Sequence, residues 1–362
     1  MADTATAAPE TAASPAARKG ARGGSSLWRY VLIRFLLIFP TIFILVTTVF
    51  LMMRVTGDPI TAALGGQLTP AQLEERIEAA GYNRPLIVQY LEYIGQIFTG
   101  DFGTTIDGQP VVGVLLRYGG ATLELAFYAL IVAFVVGIPL GMLAAALRDR
   151  WGDAVLRVFA ILCYATPVFF AGLILKLVFS VWLGVLPSSG RASPRVELQI
   201  GRIDNPTGIY TIDAIRTGNP AYLIDVLQHA IMPGIALGLL TAGVFLRLVR
   251  TNVIGTLAMP YIDAARSRGV SEYRLVRKHA YKPALIPIIT VIGLQIAMLL
   301  GGAVLTETTF EWMGLGYQLS EYLKARDYVA VQGIVALLAV IVALTNFIVD
   351  IIAAFIDPRV RY

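Results

Sequence analysis

Residues 261–285 read "YIDAARSRGVSEYRLVRKHAYKPAL" and run directly into "IPIITVIGLQIAMLLGGAVL" at 286–305. The first stretch carries eight charged side chains and a histidine, and the second carries no charge at all. About twenty mostly apolar residues suffice to cross a bilayer as a helix, so a polar insert here abuts a membrane span. Met259–Pro260 mark its start. "IDAARSRG" then reads as a short helix of small residues stopped by Gly269, which suits the left-handed position beyond a helix end. Ser271 offers an N-cap for a second helix, "VSEYRLVRKHAYKPAL", that leads into the span. The pattern is helix, sharp glycine turn, helix. Ala264 and Ala265 keep one side small, which lets another surface approach closely. A generic basic re-entry loop would share the bare pattern.

Outward from this insert, the chain of 362 residues is 57% hydrophobic and 15% charged, whereas soluble domains carry about 25% charged residues. The mean hydropathy is +0.71. The charge deficit lies in long apolar runs, which makes this an all-α polytopic membrane protein. Six stretches have spanning length, near 31–53, 120–146, 156–184, 228–250, 284–306 and 329–355. Lys and Arg collect at the amino end and in the loops after spans two and four. Acidic residues such as Glu74, Glu75, Glu78 and Glu92 populate the first loop on the other side. Cytoplasmic loops are the basic ones, so both termini and loop 251–283 are expected inside and loop 54–118 outside. The net charge of +5 follows from the same bias. It implies membrane lipid and no nucleic acid as a partner.

Residues 1–28 are Ala-, Pro-, Thr- and Gly-rich and read as a disordered cytoplasmic tail; residues 29–362 form the transmembrane domain. In loop 54–118, Thr69, Pro70 and Gln72 make a capping-box start. Gly81 and Asn83–Arg84–Pro85 break that helix, and "LIVQYLEYIGQIF" resumes it with an apolar face, suited to the outer membrane surface. The second outer loop, 185–227, is polar and punctuated by Gly and Pro.

Catalytic chemistry finds no footing. The dipeptide Gly-Lys does not occur, so the chain lacks a phosphate-cradling G-x-x-x-x-G-K-[ST] loop and is not expected to hydrolyse ATP. The only histidines, His229 and His279, are not in a metal-binding spacing, and no metal site is expected. Cys163 lies alone in an apolar run. Lys176, in "AGLILKLVFSVW", is the conspicuous intramembrane charge, because a lysine in lipid costs at least about 2.5–3.5 kcal/mol. It either lines a translocation path or snorkels to the outer interface. Gly137 and Gly141 form a G-x-x-x-G pair that reads first as helix packing.

"DAARSRG" resembles the EAA loop of ATP-binding-cassette (ABC) importer permeases, with Asp263 where Glu is usual. The similarity extends through "TLELAFYALIVAFVVGIPLGMLAA", "ATPVFFAGLILKLVFSVWLGVLPSSG", "TETTFEWMGLG" and the closing "DPRVRY" to the dipeptide/oligopeptide permease branch, over roughly residues 29–362. The usual "LP" ending of the loop is reduced here to Lys282–Pro283. The resemblance implies six transmembrane helices in a type I ABC importer permease fold with a cytoplasmic coupling helix, in a bacterial cell membrane. It assigns Asp263, Ala264, Ala265 and Gly269 to coupling with an ATPase. It further implies a homologous second permease, two cytoplasmic ATP-binding subunits and an extracytoplasmic peptide-binding protein. ATP and Mg would be used by those subunits, with no cofactor on this chain. Di- or oligopeptides are the expected cargo. Nickel and glutathione importers share the branch, and an ion-coupled secondary transporter is the rival of another class, for which no internal repeat stands out.

Overall fold

The computed structural model describes residues 23–356 except 56, 58, 67, 80, 282–283, 285–290, 292–294, 296–297 and 300–302. Among these, helices dominate and the only strand-like pairing is an isolated bridge between Thr104 and Pro110.

Helix α1, Gly23–Val55, contains the first expected span. It begins earlier than the tail boundary at 28, because an established helix adds a hydrogen bond for each residue it recruits. The rest of the tail lies outside the described residues. The short α2, Pro59–Leu64, and α3, Pro70–Ala79, follow. Gln72 Oε1 accepts from the Thr69 amide at 3.1 Å and from its hydroxyl at 2.9 Å, so the capping arrangement forms. Helix α4, Leu86–Thr99, ends at the left-handed Gly100. It crosses α1 where Tyr90 and Thr47 share a 2.6 Å hydrogen bond. Its apolar Ile94, Ile97 and Phe98 share a groove with Phe43 of α1, while its polar side faces away.

The second span lies within α5, Val111–Ala146. A π-helical stretch at Ala133–Gly137 absorbs Pro139, whose ring cannot fit against an ideal i−4 carbonyl. The third expected span, 156–184, is not one helix. It is α6, Trp151–Ala165, and α7, Val168–Trp182, bent by 104°. Pro167 forces this: it disfavours helical backbone at Thr166, which is extended at φ −77°, ψ 125°. Helices α8, Pro194–Ile200, and α9, Tyr210–Arg216, fold loop 185–227 onto a core of Ala192, Val196, Ala214 and Val226.

Helix α10, Pro220–Leu257, holds the fourth span and starts with Asn219 accepting from the Ala221 amide at 3.0 Å. It is the central helix and packs on α5, α6 and α7. Added Cβ atoms at Gly137 and Gly141 would lie 2.7 Å from Ala242 O and Val249 Cβ, so the G-x-x-x-G pair is a close-packing face. The polar insert forms α11, Pro260–Ser267, and α12, Glu272–Ala280, whose Leu275–Ala280 part is π-helical. Most of the fifth expected span, 284–306, lies outside the described residues; its end forms α13, residues 303–310. Helices α14, Leu315–Lys324, and α15, Tyr328–Ile356, complete the chain, with α15 paired to α1.

Candidate functional site

The insert between α10 and the fifth span is a helical hairpin. Ile262 is fully buried, as is Leu275, and Val276 and Ala280 join Val249 and Val253 of α10 in one apolar cluster. These anchors fix the base. The turn is closed as a Schellman motif: the Gly269 amide donates to Arg266 O at 2.9 Å and the Val270 amide to Ala265 O at 3.3 Å. Gly269 has φ +77° with open space around a would-be Cβ, so its requirement is backbone handedness rather than room. Ser271 occupies the N-cap position without a side-chain cap.

Arg266 clamps the hairpin. Its guanidinium reaches Asp263 at 2.6 Å and Glu272 at 2.6 Å. It holds the Glu272 carboxyl below the usual carboxylate value. Both carboxylates are exposed, so this is geometry more than stability. Asp263 and Ala264 face outward, whereas Ala265 is already half-covered by its own chain. The small exposed position is therefore Ala264, and the same hairpin also exposes Met259, Tyr261 and Tyr273, at 50, 48 and 68%. These three apolar side chains were not evident from the charge pattern. A small residue beside exposed aromatic and thioether groups suits a packed protein contact.

Behind the hairpin, Arg250 of α10 grips the fully buried Asp153 of α6 through Nε at 2.6 Å and Nη2 at 2.7 Å. The sequence marks Arg250 only as a basic loop residue. Its partner is 97 positions away.

Lys176 opens the π-helical part of α7. Its ammonium donates to Thr309 O at 2.9 Å and sits 5.6 Å from the Phe310 ring centroid. One turn earlier, Gly172 lets α13 close in, since a Cβ there would lie 2.9 Å from Phe310. The lysine is thus held by protein.

At the opposite end from the hairpin, "TLELAFY" hides a charge that the sequence reading passed over. Glu124 pairs with Arg191 at 2.6 Å, both nearly without exposure. Glu124 also accepts from the amides of Tyr210 at 3.2 Å and Thr211 at 2.7 Å. Arg191 donates to Gly208 O at 2.8 Å and stacks 3.6 Å from the Tyr210 ring centroid. Removing one partner of such a buried pair costs about 3–5 kcal/mol. Beside it, Glu307 accepts from Thr122 at 2.6 Å and the Tyr317 amide at 2.8 Å. The Trp312 indole donates to Ala121 O at 2.9 Å. The "TETTFEWMGLG" block is thereby locked onto α5 and the second outer loop. An acidic residue inside an apolar run is the one signal that could have found Glu124.

Comparison with known proteins places these features. Residues 137–362 match the family described as "Binding-protein-dependent transport system inner membrane component", and residues 27–117 match its N-terminal counterpart. The chain is 34% identical over 335 residues to the Dipeptide transport system permease protein DppB of Alkalihalophilus pseudofirmus, covering 92% of this chain and 99% of that one. It is 37% identical over 338 residues to the protein of the same name from Escherichia coli K12, with the same coverage of 92% and 99%. With the Glutathione transport system permease protein GsiC of Salmonella choleraesuis it shares 33% over 335 residues, again 92% and 99%. In fold it is similar to a chain of the inward-facing MetNI methionine ABC transporter. That match has a TM-score of 0.50 at 18% identity and covers 68% of this chain and 97% of that one. With apolar helices of spanning length, a polar hairpin anchored on the central helix, and relatives matched almost end to end, the chain belongs to the binding-protein-dependent transport system inner membrane components, the transmembrane permeases of ABC importers.

Proposed function

We propose that this permease carries di- or oligopeptides inward, as one half of a pathway completed by a homologous second permease. Two cytoplasmic ATP-binding subunits would hydrolyse ATP with Mg and seat on the 260–269 helix and turn. An extracytoplasmic solute-binding protein would deliver the peptide to the other face. In this reading the chain is not itself an enzyme and binds no cofactor. Its termini and hairpin lie in the cytoplasm, and loop 54–118 lies outside.

The observation that carries the reading is the hairpin. Its buried base is continuous with the packing of α10, and the hairpin leaves Ala264, Met259, Tyr261 and Tyr273 exposed. A push on that face would reach the central helix through Val276 and Ala280. Several relatives named for dipeptide transport, at 34–38% identity, favour peptides as cargo over glutathione, for which the named relative is at 33%.

The test is uptake of labelled dipeptides into proteoliposomes holding the whole complex, with the binding protein added outside. ATP-dependent accumulation that stops without the binding protein is expected. Uptake independent of ATP but driven by an ion gradient would overturn the reading in favour of a secondary transporter.

A further inference from the structure

Between the outer end of α1, the polar side of α4 and the first turns of α15 lies a cavity of about 120 Å³. Its polar wall is Arg54, Gln89, Glu92, Tyr93, Gln96 and Gln332. Two buried atoms of that wall, Arg54 Nε and Gln89 Oε1, have no hydrogen-bond partner; beside them the buried Tyr93 hydroxyl is approached by the Gln332 side chain, which leaves its O–H free to donate. Buried polar atoms left unmet bear the full cost of their lost hydration. Their meeting in one cavity is a property of the site rather than a lone packing fault.

Two of the wall side chains are tied to the segment before α4. Glu92 is paired with Arg84, and the Gln89 amide nitrogen donates to Tyr82 O at 3.0 Å and Arg84 O at 2.7 Å. The Arg54 guanidinium lies 5.1 Å from the Phe50 ring centroid and 4.4 Å from that of Tyr82. Stacking occupies the faces of a guanidinium and leaves its edge N–H groups for an acceptor. The unmet set is therefore a cationic N–H donor and a carbonyl acceptor, with the Tyr93 O–H beside them as a second donor. A single water needs only about 10–15 Å³ of such space, so the cavity has room for a carboxylate with one amide.

We propose that this cavity binds the carboxylate end of a short amide-bearing solute, the C-terminal residue of a peptide. The carboxylate accepts from Arg54 Nε–H and the Tyr93 hydroxyl, and the adjoining amide N–H donates to Gln89 Oε1. An inorganic anion would leave Gln89 Oε1 unmet, and water alone would bring no charge to the guanidinium. The proposal rests on the peptide-importer reading for the nature of the solute.

The test uses the purified complex in nanodiscs, without its binding protein, and two probes: N-acetylalanine and N-acetylalanine amide. Calorimetry and saturation-transfer NMR should show the acid binding at least about tenfold more tightly than the amide, since hydrogen bonds between charged groups are roughly twice as strong. Arg54→Gln should abolish that preference, and Tyr93→Phe, which keeps the ring packing, should weaken the acid alone. Equal binding of the two probes, or no binding of either at millimolar concentration, would leave the cavity to water and overturn the proposal. So would undiminished acid binding in both variants, because the carboxylate would then sit elsewhere on the complex. Acid-selective binding by a complex that fails to take up peptides would sink the transport reading and leave the site standing.

Discussion

Gly269 and Lys176 show how much a single residue does here. At φ +77° with open surroundings, Gly269 tolerates a larger residue only by paying in backbone energy, about 1–2 kcal/mol for most side chains. Gly269→Val should loosen the turn, so that the ATP-binding subunits co-purify poorly or hydrolyse ATP without uptake. Gly269→Asn, whose side chain accepts the left-handed region, should behave close to wild type. If Val and Asn variants both couple normally, the turn has no part in coupling. Lys176 gives up a 2.9 Å bond to Thr309 O when replaced by Met. Uptake per assembled complex should fall while the subunits remain associated. A drop in thermal stability with unchanged uptake per complex would make it a structural tie between α7 and α13.

At the scale of elements, α10 is held by the close approach of α5. Gly137 and Gly141 set that distance, because a Cβ at Gly141 would lie 2.7 Å from Val249 Cβ and 2.8 Å from Leu246 O. Gly141→Val should therefore lower the stability of the purified permease by roughly 1–3 kcal/mol, the usual cost of overpacking, read as a fall in its thermal midpoint in detergent. The reach should extend to the hairpin, since Val249 also belongs to the cluster that seats Val276 and Ala280. An unchanged midpoint would mean that the helices separate at no cost. The bend between α6 and α7 belongs to this scale too. Thr166–Pro167 is readable as a break, yet an apolar run on both sides of it looks like one continuous span.

For the whole molecule, orientation is the testable consequence of the charge bias. With Cys163 replaced by Ala, single cysteines at Ala71 and Ser267 should react with an impermeant thiol reagent from opposite sides of the membrane. Ala71 lies on α3 in the acidic loop 54–118, and Ser267 ends α11 in the basic hairpin. Labelling of both from one side would overturn the topology. The same experiment places the Arg54 cavity, since α3 precedes by one turn the Gly81–Tyr82 segment that lines it.

The sequence by itself determined the membrane class, most span positions, the capping of α3 and the helix–glycine–helix form of the insert. Each of these is written in residues adjacent along the chain: apolar length, Thr69 with Gln72, and Gly269 after a run of small residues. The tertiary structure alone decided which charges meet. Glu124 and Arg191 are 67 positions apart, Lys176 and Thr309 are 133 apart, and Arg250 finds Asp153 across 97. It also showed that Ala264 is more open than Ala265 on the hairpin, and that the unmet Arg54 Nε and Gln89 Oε1 share one cavity with the Tyr93 hydroxyl. Local pattern reports propensity and amphipathicity, which act over a few residues. The pairing of buried charges depends on which helices pack together, and a low-dielectric interior makes that choice decisive.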